Sequence, residues 1–168
     1  GQSGAGFCKQ GFNNDTGANY AQRTSVNGGA DATSVSRTYQ DLVVSDNSTP
    51  MFSILDVANY TTKEKLCTGW QMQQSTAGAG TAPSRFEIAD KWANTADAIS
   101  EIDYYRSANN ILSGSEIVVL GYDPADVHTT NIWEELGSTV LDSAGVDLDI
   151  TSFTSKKYLW IQAYLQGT

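Results

Sequence analysis

Apolar positions along this chain recur at the spacing of strands. Short runs rich in Val, Ile, Tyr, Phe, Trp and Thr alternate with polar residues, and helical periodicity is almost absent. The pattern predicts strands over residues 6–12, 19–24, 34–44, 50–58, 64–73, 85–92, 99–106, 115–122, 130–141 and 156–165. Turn chemistry separates them: Asn13-Asn14-Asp15-Thr16-Gly17, Asn27-Gly28-Gly29, Asp46-Asn47-Ser48-Thr49-Pro50, Ala77-Gly78-Ala79-Gly80, Ser113-Gly114 and Asp123-Pro124. Asn, Asp and Gly supply left-handed backbone, and Pro sets φ at a corner. About ten strands in one domain predict an all-β fold, a jelly-roll-like two-sheet antiparallel β-sandwich over residues 1–168. Two pieces read as helix. One lies within 125–135, held to a turn or two by Thr129, Thr130, Ile132 and Trp133; a shorter one lies near 94–98.

Alternation assigns faces. On 50–58, Phe52, Ile54 and Val57 are expected to point inward. On 115–122, Ile117, Val119 and Gly121 share the inner face, with Val118, Leu120 and Tyr122 opposite. That strand is apolar on both sides, so it should be central, or covered by a loop or a neighbouring subunit. On 156–165 the Leu159, Ile161, Ala163 and Leu165 face is the core. Tyr158, Trp160, Gln162 and Tyr164 then look outward, where aromatic rings need a partner, a covering loop or a ligand. Residues 60–66 and 153–159 echo each other, with Gln73 and Gln166 in the same register. The echo reads either as two strands entered through similar turns or as two related halves.

Composition narrows the function classes. Only 17% of the 168 residues are charged, against roughly a quarter in an ordinary domain. Ten basic and nineteen acidic residues give a net charge of −9. This argues against a nucleic-acid surface, which needs clustered Lys and Arg, and against attraction to an anionic membrane. No apolar run reaches the roughly twenty residues of a membrane helix. With one His, the commonest catalytic base and zinc ligand is nearly missing. The chain starts at Gly1 and reads as a processed product or a piece of a longer chain. Cys8 and Cys67 allow one disulfide or two buried thiols. Three N-x-S/T triplets start at Asn14, Asn47 and Asn59, too few in so Asn-rich a chain to establish glycosylation.

Chemistry-bearing residues are sparse. Asp123, Asp126, His128, Glu134 and Glu135 form the densest ionisable cluster. Read as a site, Asp123 and Asp126 are Ca²⁺ candidates, and His128 adds a transition-metal ligand. Read as structure, Asp123 starts a turn before Pro124 and Asp126 caps a short helical turn. Asp15, Asp31, Asp147 and Asp149 sit in acidic turns that read as a lectin-like Ca²⁺ site or as solvated tips. No nucleophile elbow or phosphate loop is present, and nothing picks out a carboxylate pair for glycoside hydrolysis. Trp70, Trp92, Trp133 and Trp160 read as core, or as a stacking platform for sugar rings.

Several strings occur together: Phe12-Asn13-Asn14-Asp15-Thr16-Gly17, Val26-Asn27-Gly28-Gly29-Ala30-Asp31, Lys91-Trp92-Ala93-Asn94-Thr95, Gly114-Ser115-Glu116-Ile117-Val118-Val119-Leu120-Gly121-Tyr122-Asp123-Pro124, and Phe153-Thr154-Ser155-Lys156-Lys157-Tyr158-Leu159-Trp160. Together they resemble an uncharacterised family of marine viral and environmental sequences presumed to be virion structural proteins. The resemblance implies a non-enzymatic, extracellular or virion-borne module, with copies of itself and other virion proteins as partners and no resident cofactor. It brings no catalytic residues. Trp160, Tyr158, Tyr164 and Trp70 are the expected interface residues. A carbohydrate-binding attachment module and a secreted filament or surface-layer subunit are the alternatives. In the family the Phe-Thr-x-Lys-Lys-Tyr-Leu strand tends to lie just upstream of the Phe-Asn-x-Asp-Thr-Gly segment, whereas here it closes the chain. Either the polypeptide holds tandem copies of one repeat, or the terminal strand pairs beside 6–12, within one subunit or by strand exchange; the expectation is that 156–165 and 6–12 are adjacent antiparallel strands.

Overall fold

The computed structural model describes residues 8–42, 49–74, 76–106, 110–127 and 133–166. Twelve strands are found there: β1 (Cys8–Phe12), β2 (Tyr20–Val26), β3 (Ala32–Arg37), β4 (Gln40–Leu42), β5 (Met51–Ala58), β6 (Lys65–Gln73), β7 (Ser84–Trp92), β8 (Ile102–Arg106), β9 (Glu116–Tyr122), β10 (Glu134–Val140), β11 (Asp147–Ile150) and β12 (Tyr158–Leu165). They make two antiparallel sheets, β11-β8-β1-β4 and β10-β9-β12-β5-β6-β7-β2-β3. The all-β, two-sheet sandwich is therefore the architecture of the chain, with no helix among the described residues.

One core fills the space between the sheets. Leu159, Ile161, Ala163 and Leu165 of β12 and Ile117 and Val119 of β9 face it from the larger sheet. Cys8, Phe12, Ile102, Tyr104, Leu148 and Ile150 face it from the smaller. Phe12, Tyr20 and Trp92 form its aromatic end, with ring centroids 5.8 to 6.4 Å apart. Cys8 and Cys67 are buried free thiols, one from each sheet. Burial pushes the Cys8 thiol up to about 12, so it is inert in the folded state.

The larger sheet overhangs the smaller and curls around both of its edges. At one side Gln22 Nε2 donates to the Asp41 carbonyl at 2.7 Å, tying β2 to β4. At the other, β10 packs on β11. A bulge between Glu135 and Gly137 bends β10 inward. A Cβ at Gly137 would lie 2.6 Å from Ile150 Cγ2, so glycine is what lets the strand close in. Gly69, in mid-β6, is similarly confined, since a Cβ there would run into the Ile54 carbonyl oxygen and lie 2.9 Å from Leu55 Cδ1. Gly69→Ala is expected to cost about 2–4 kcal/mol by forcing β5 and β6 apart, read as a lowered denaturant midpoint at an unchanged m-value.

Several expectations are corrected. The described part of the segment 34–44 divides between two strands: Ser36 takes a left-handed φ of 52°, and the chain turns out of the larger sheet as β3 and enters the smaller as β4, residues 43–44 lying outside the described residues. On β5 the faces are reversed. Phe52 and Ile54, expected inside, are outward; Met51, Ser53 and Leu55 are inward, and so, as expected, is Val57. The strand is apolar on both sides, so alternation has two possible phases and pairing decides between them. The predicted pairing of 156–165 with 6–12 does not occur. β12 lies between β9 and β5, and β1 between β4 and β8, in different sheets. β12 is paired along both edges and β1 along its β8 edge and at Cys8–Gln10 on the β4 edge, so within the chain neither is open to pairing with the other. Residues 60–66 and 153–159 lead into strands flanking β5, but the matched Leu66 is exposed where Leu159 is buried. The echo is not a structural repeat. Of the helical pieces, 94–98 is a loop in which Asn94 Oδ1 accepts the Ala96 and Asp97 amides at 2.8 and 2.9 Å. The other divides into a turn at 123–127 and β10; residues 128–132, His128 among them, lie outside the described residues.

Two asparagines hold the strandless crossing from β7 to β8. Asn13 Oδ1 accepts the Ser100 and Glu101 amides, and its Nδ2 donates to the Ala98 carbonyl. Asn59, 3% exposed, accepts the Ile99 amide at 2.7 Å. Its Nδ2 is shared among the Ile99 and Lys156 carbonyls and Ser155 Oγ, at 3.0 to 3.1 Å. The side chain of the 59–61 triplet thus faces the interior and is closed to glycosylation in the folded protein.

Candidate functional site

The outer face of the eight-stranded sheet carries the concentration of exposed apolar surface. Pairing registers place its side chains in four rows across β9, β12, β5, β6 and β7. The first row is Tyr122, Tyr158, Ala58, Leu66 and Lys91; the second is Leu120, Trp160, Asp56, Thr68 and Ala89. The third row is Val118, Gln162, Ile54, Trp70 and Glu87, and the fourth is Glu116, Tyr164, Phe52, Met72 and Arg85. Trp70 is 49% exposed, and Phe52, Met72 and Tyr164 are each 37% exposed. An isolated exposed Leu needs no explanation, but a contiguous face of this kind does.

All four expected interface residues lie on this face. Trp70 and Tyr164 are open. Trp160 and Tyr158 are only half-buried because other rings cover them. Trp133 rests 6.1 Å from Trp160 and 6.0 Å from Tyr122. Tyr122 stacks on Tyr158 at 6.1 Å, and the Tyr158 hydroxyl shares a 2.7 Å hydrogen bond with Tyr60. The cover predicted for the two-sided strand 115–122 is therefore supplied in part by Trp133 from the same chain. Trp92, by contrast, is fully buried core, its Nε1 donating to Asp15 Oδ2 at 2.6 Å.

Between these rings and Leu66 lies a groove of about 550 Å³, floored by Ala58, Asp56 and Thr68. No hydrogen bond or ion pair to Asp56 occurs among the described residues. Nearby cations are engaged elsewhere: Lys91 pairs with Glu64 at 3.0 Å, and Lys157 lies over the Tyr60 ring at 5.4 Å. Reversing the phase of β5 is what exposes Asp56, so alternation read from sequence had no means of finding it.

No family model, curated protein or solved structure matches the chain.

The acidic residues are mostly structural. Asp126 meets Lys156 Nζ at 2.7 Å and Glu134 meets it at 2.8 Å, both raising the lysine pKa. Asp123 Oδ1 accepts the Ala125 amide at 2.9 Å, starting the turn at Pro124. Glu135 accepts from Ser138 Oγ. A lysine between two of the carboxylates opposes a Ca²⁺ ion there, and no metal-binding group of three His, Cys, Asp or Glu occurs among the described residues. Asp31 pairs with Arg23 at 2.9 Å. Burial pushes Asp15 up, but hydrogen bonds from Trp92, Asn19 and Gly17 outweigh it and hold its carboxyl below the usual value. On the smaller sheet, Asp149 stands directly across from Asp103, with Asp147 beside Tyr105. Burial, with neighbouring carboxylates adding, pushes Asp103 up to about 6.

Proposed function

We propose that the chain is a non-enzymatic structural module acting by self-assembly, as a capsid-surface, tail or fibre component of a virion. The resemblance of the strings 12–17, 26–31, 91–95, 114–124 and 153–160 to presumed virion proteins suggests the context. The observation that carries the assembly reading is the third and fourth rows of the outer face, where Trp70, Phe52, Met72 and Tyr164 stand exposed together. Large aromatic anchors of this type dominate interface energetics. The fourth row is acidic at Glu116 and basic at Arg85. A second copy turned over about the strand direction therefore brings unlike charges together at both ends, as a two-fold interface requires. The low charge and hydroxyl-rich surface suit close packing among copies. A secreted filament or surface-layer subunit would use the same contacts in another setting.

Sedimentation velocity tests the reading. The protein is expected to associate beyond a monomer at micromolar concentration. Phe52→Asp with Trp70→Asp is expected to return it to monomer with little change in melting temperature, because both side chains are exposed. A wild-type monomer at all concentrations, or an oligomer indifferent to the double variant, overturns it.

A further inference from the structure

The groove on the first two rows has features that self-association does not use. Three of its walls are aromatic: Tyr122, Tyr158 and Trp133. They are not one flat platform. Tyr122 and Tyr158 lie at 19° to each other, and Trp133 is inclined by 52° to Tyr122. The stacked tyrosine pair and the inclined Trp133 line one groove in place of a single flat platform for a sugar, and the electron-rich ring faces left open there attract a cation. A carboxylate, Asp56, stands in the floor, directly between Trp160 and Thr68 in the pairing register. Thr68 Oγ1 donates to the Ile88 carbonyl at 3.3 Å, which leaves the hydroxyl oxygen as an acceptor. Apart from its aromatic rims and the aliphatic Leu66 and Ala58, the groove thus offers acceptors and negative charge. The net charge of −9 adds a long-range field of the same sign.

A neutral apolar ligand would leave Asp56 desolvated without a counter-charge. An anion would meet it directly. A primary ammonium is compact and strongly hydrated, whereas a methylated ammonium spreads its charge over apolar methyl groups that pack on rings. We propose that this groove binds a methylated ammonium cation of the choline type, with Tyr122, Tyr158 and Trp133 against the methyl groups and Asp56 supplying the counter-charge. The same cation occurs free and as a lipid headgroup, and both sources present the same chemistry. The site uses the Tyr158 end of the sheet, and the proposed assembly contacts use the Tyr164 end, so the two do not compete.

The test is a tryptophan-fluorescence titration with choline chloride, with phosphatidylcholine vesicles, and with the neutral tert-butyl analogue of choline. Saturable quenching by choline or by the vesicles is expected, and the responding arm identifies the source. The neutral analogue is expected to bind at least about tenfold more weakly. Asp56→Asn, an exposed change that leaves the fold intact, is expected to weaken binding about tenfold, and Trp133→Ala, read by titration calorimetry because it removes the groove's own fluorophore, to abolish it. Equal affinity for the neutral analogue, unchanged affinity in Asp56→Asn, or saturation by a glucan oligosaccharide in place of choline overturns the proposal. Asp56→Asn is also expected to leave the sedimentation coefficient unchanged. A protein that binds choline yet stays monomeric would therefore keep this site while removing the assembly reading.

Discussion

Replacing Asn59 with alanine is expected to cost about 3–5 kcal/mol, a third or more of the stability of a typical domain. The side chain is enclosed where the ends of β5, the 93–101 crossing and the entry to β12 meet. Truncation strips the Ile99 amide of its acceptor and removes the donor to the Ile99 and Lys156 carbonyls. Each orphaned buried group costs about 1–3 kcal/mol, and the cavity adds to it. The denaturant midpoint is the readout. Asn59→Asp discriminates further, because it keeps the acceptor for the Ile99 amide and, when protonated, offers one O–H donor where the amide offered two N–H. Its loss should fall between wild type and alanine when the aspartate is protonated at low pH. A cost under about 1 kcal/mol for Asn59→Ala would show that the crossing is held by something else.

The second large effect is a stability that rises on acidification. Burial pushes the carboxyl of Asp90 well above its ordinary range. The residue is 4% exposed, its Oδ2 receives a 3.5 Å contact from Gln22 Nε2, and its Oδ1 has no partner. Asp103, Asp41 and Asp149 are also shifted upward by burial. An acid whose folded pKa is raised binds its proton more tightly when folded. Its stabilising contribution is complete below the unfolded value near 3.8 and is lost as pH rises through the folded value. While only the folded form holds the proton, each such group contributes a slope of about −1.4 kcal/mol per pH unit. Solvent screening reduces the half-exposed Asp103 to about 1 kcal/mol in total, spent between roughly pH 4 and 6. Asp15 is shifted the other way, so its contribution is lost only as pH falls below the ordinary carboxylate range. The melting temperature is therefore expected to climb as pH falls from about 6 towards 4, through the range in which Asp103 takes up its proton. Asp90→Asn is expected to raise stability by about 1–2 kcal/mol at pH 7, to raise it less as the pH falls towards 4, and to flatten the profile. A flat wild-type profile, or a variant with unaltered slope, would count against a buried neutral Asp90.

Much of this fold is legible in the residues because its signals are local. Asn-Asp-Gly turns and β-branched runs mark ten of the strands, and strict alternation places Leu159, Ile161 and Ala163 inside β12. β11 was not legible. Asp147-Leu148-Asp149-Ile150 is short, half acidic, and extended only because β8 pairs with it. Nor was the phase of β5, where Phe52 and Ile54 match the core pattern as well as Leu55 and Val57 do. The candidate site followed the same division. Tyr158, Trp160, Trp70 and Tyr164 were visible as outward aromatics, whereas Asp56, Phe52 and Met72 join them only through the phase that pairing imposes.

By itself, then, the sequence determined the all-β class, most strand positions and the apolar character of both faces of β9 and β12. These follow from side-chain periodicity within a single strand. Only the tertiary structure decided which strands are neighbours, placing β12 beside β5 and β9 and away from β1, and thereby set Asp56 in one groove with Tyr122, Tyr158 and Trp133. Strand order rests on contacts between residues far apart in the chain, where a slip of one residue turns a whole face over and the local pattern is silent.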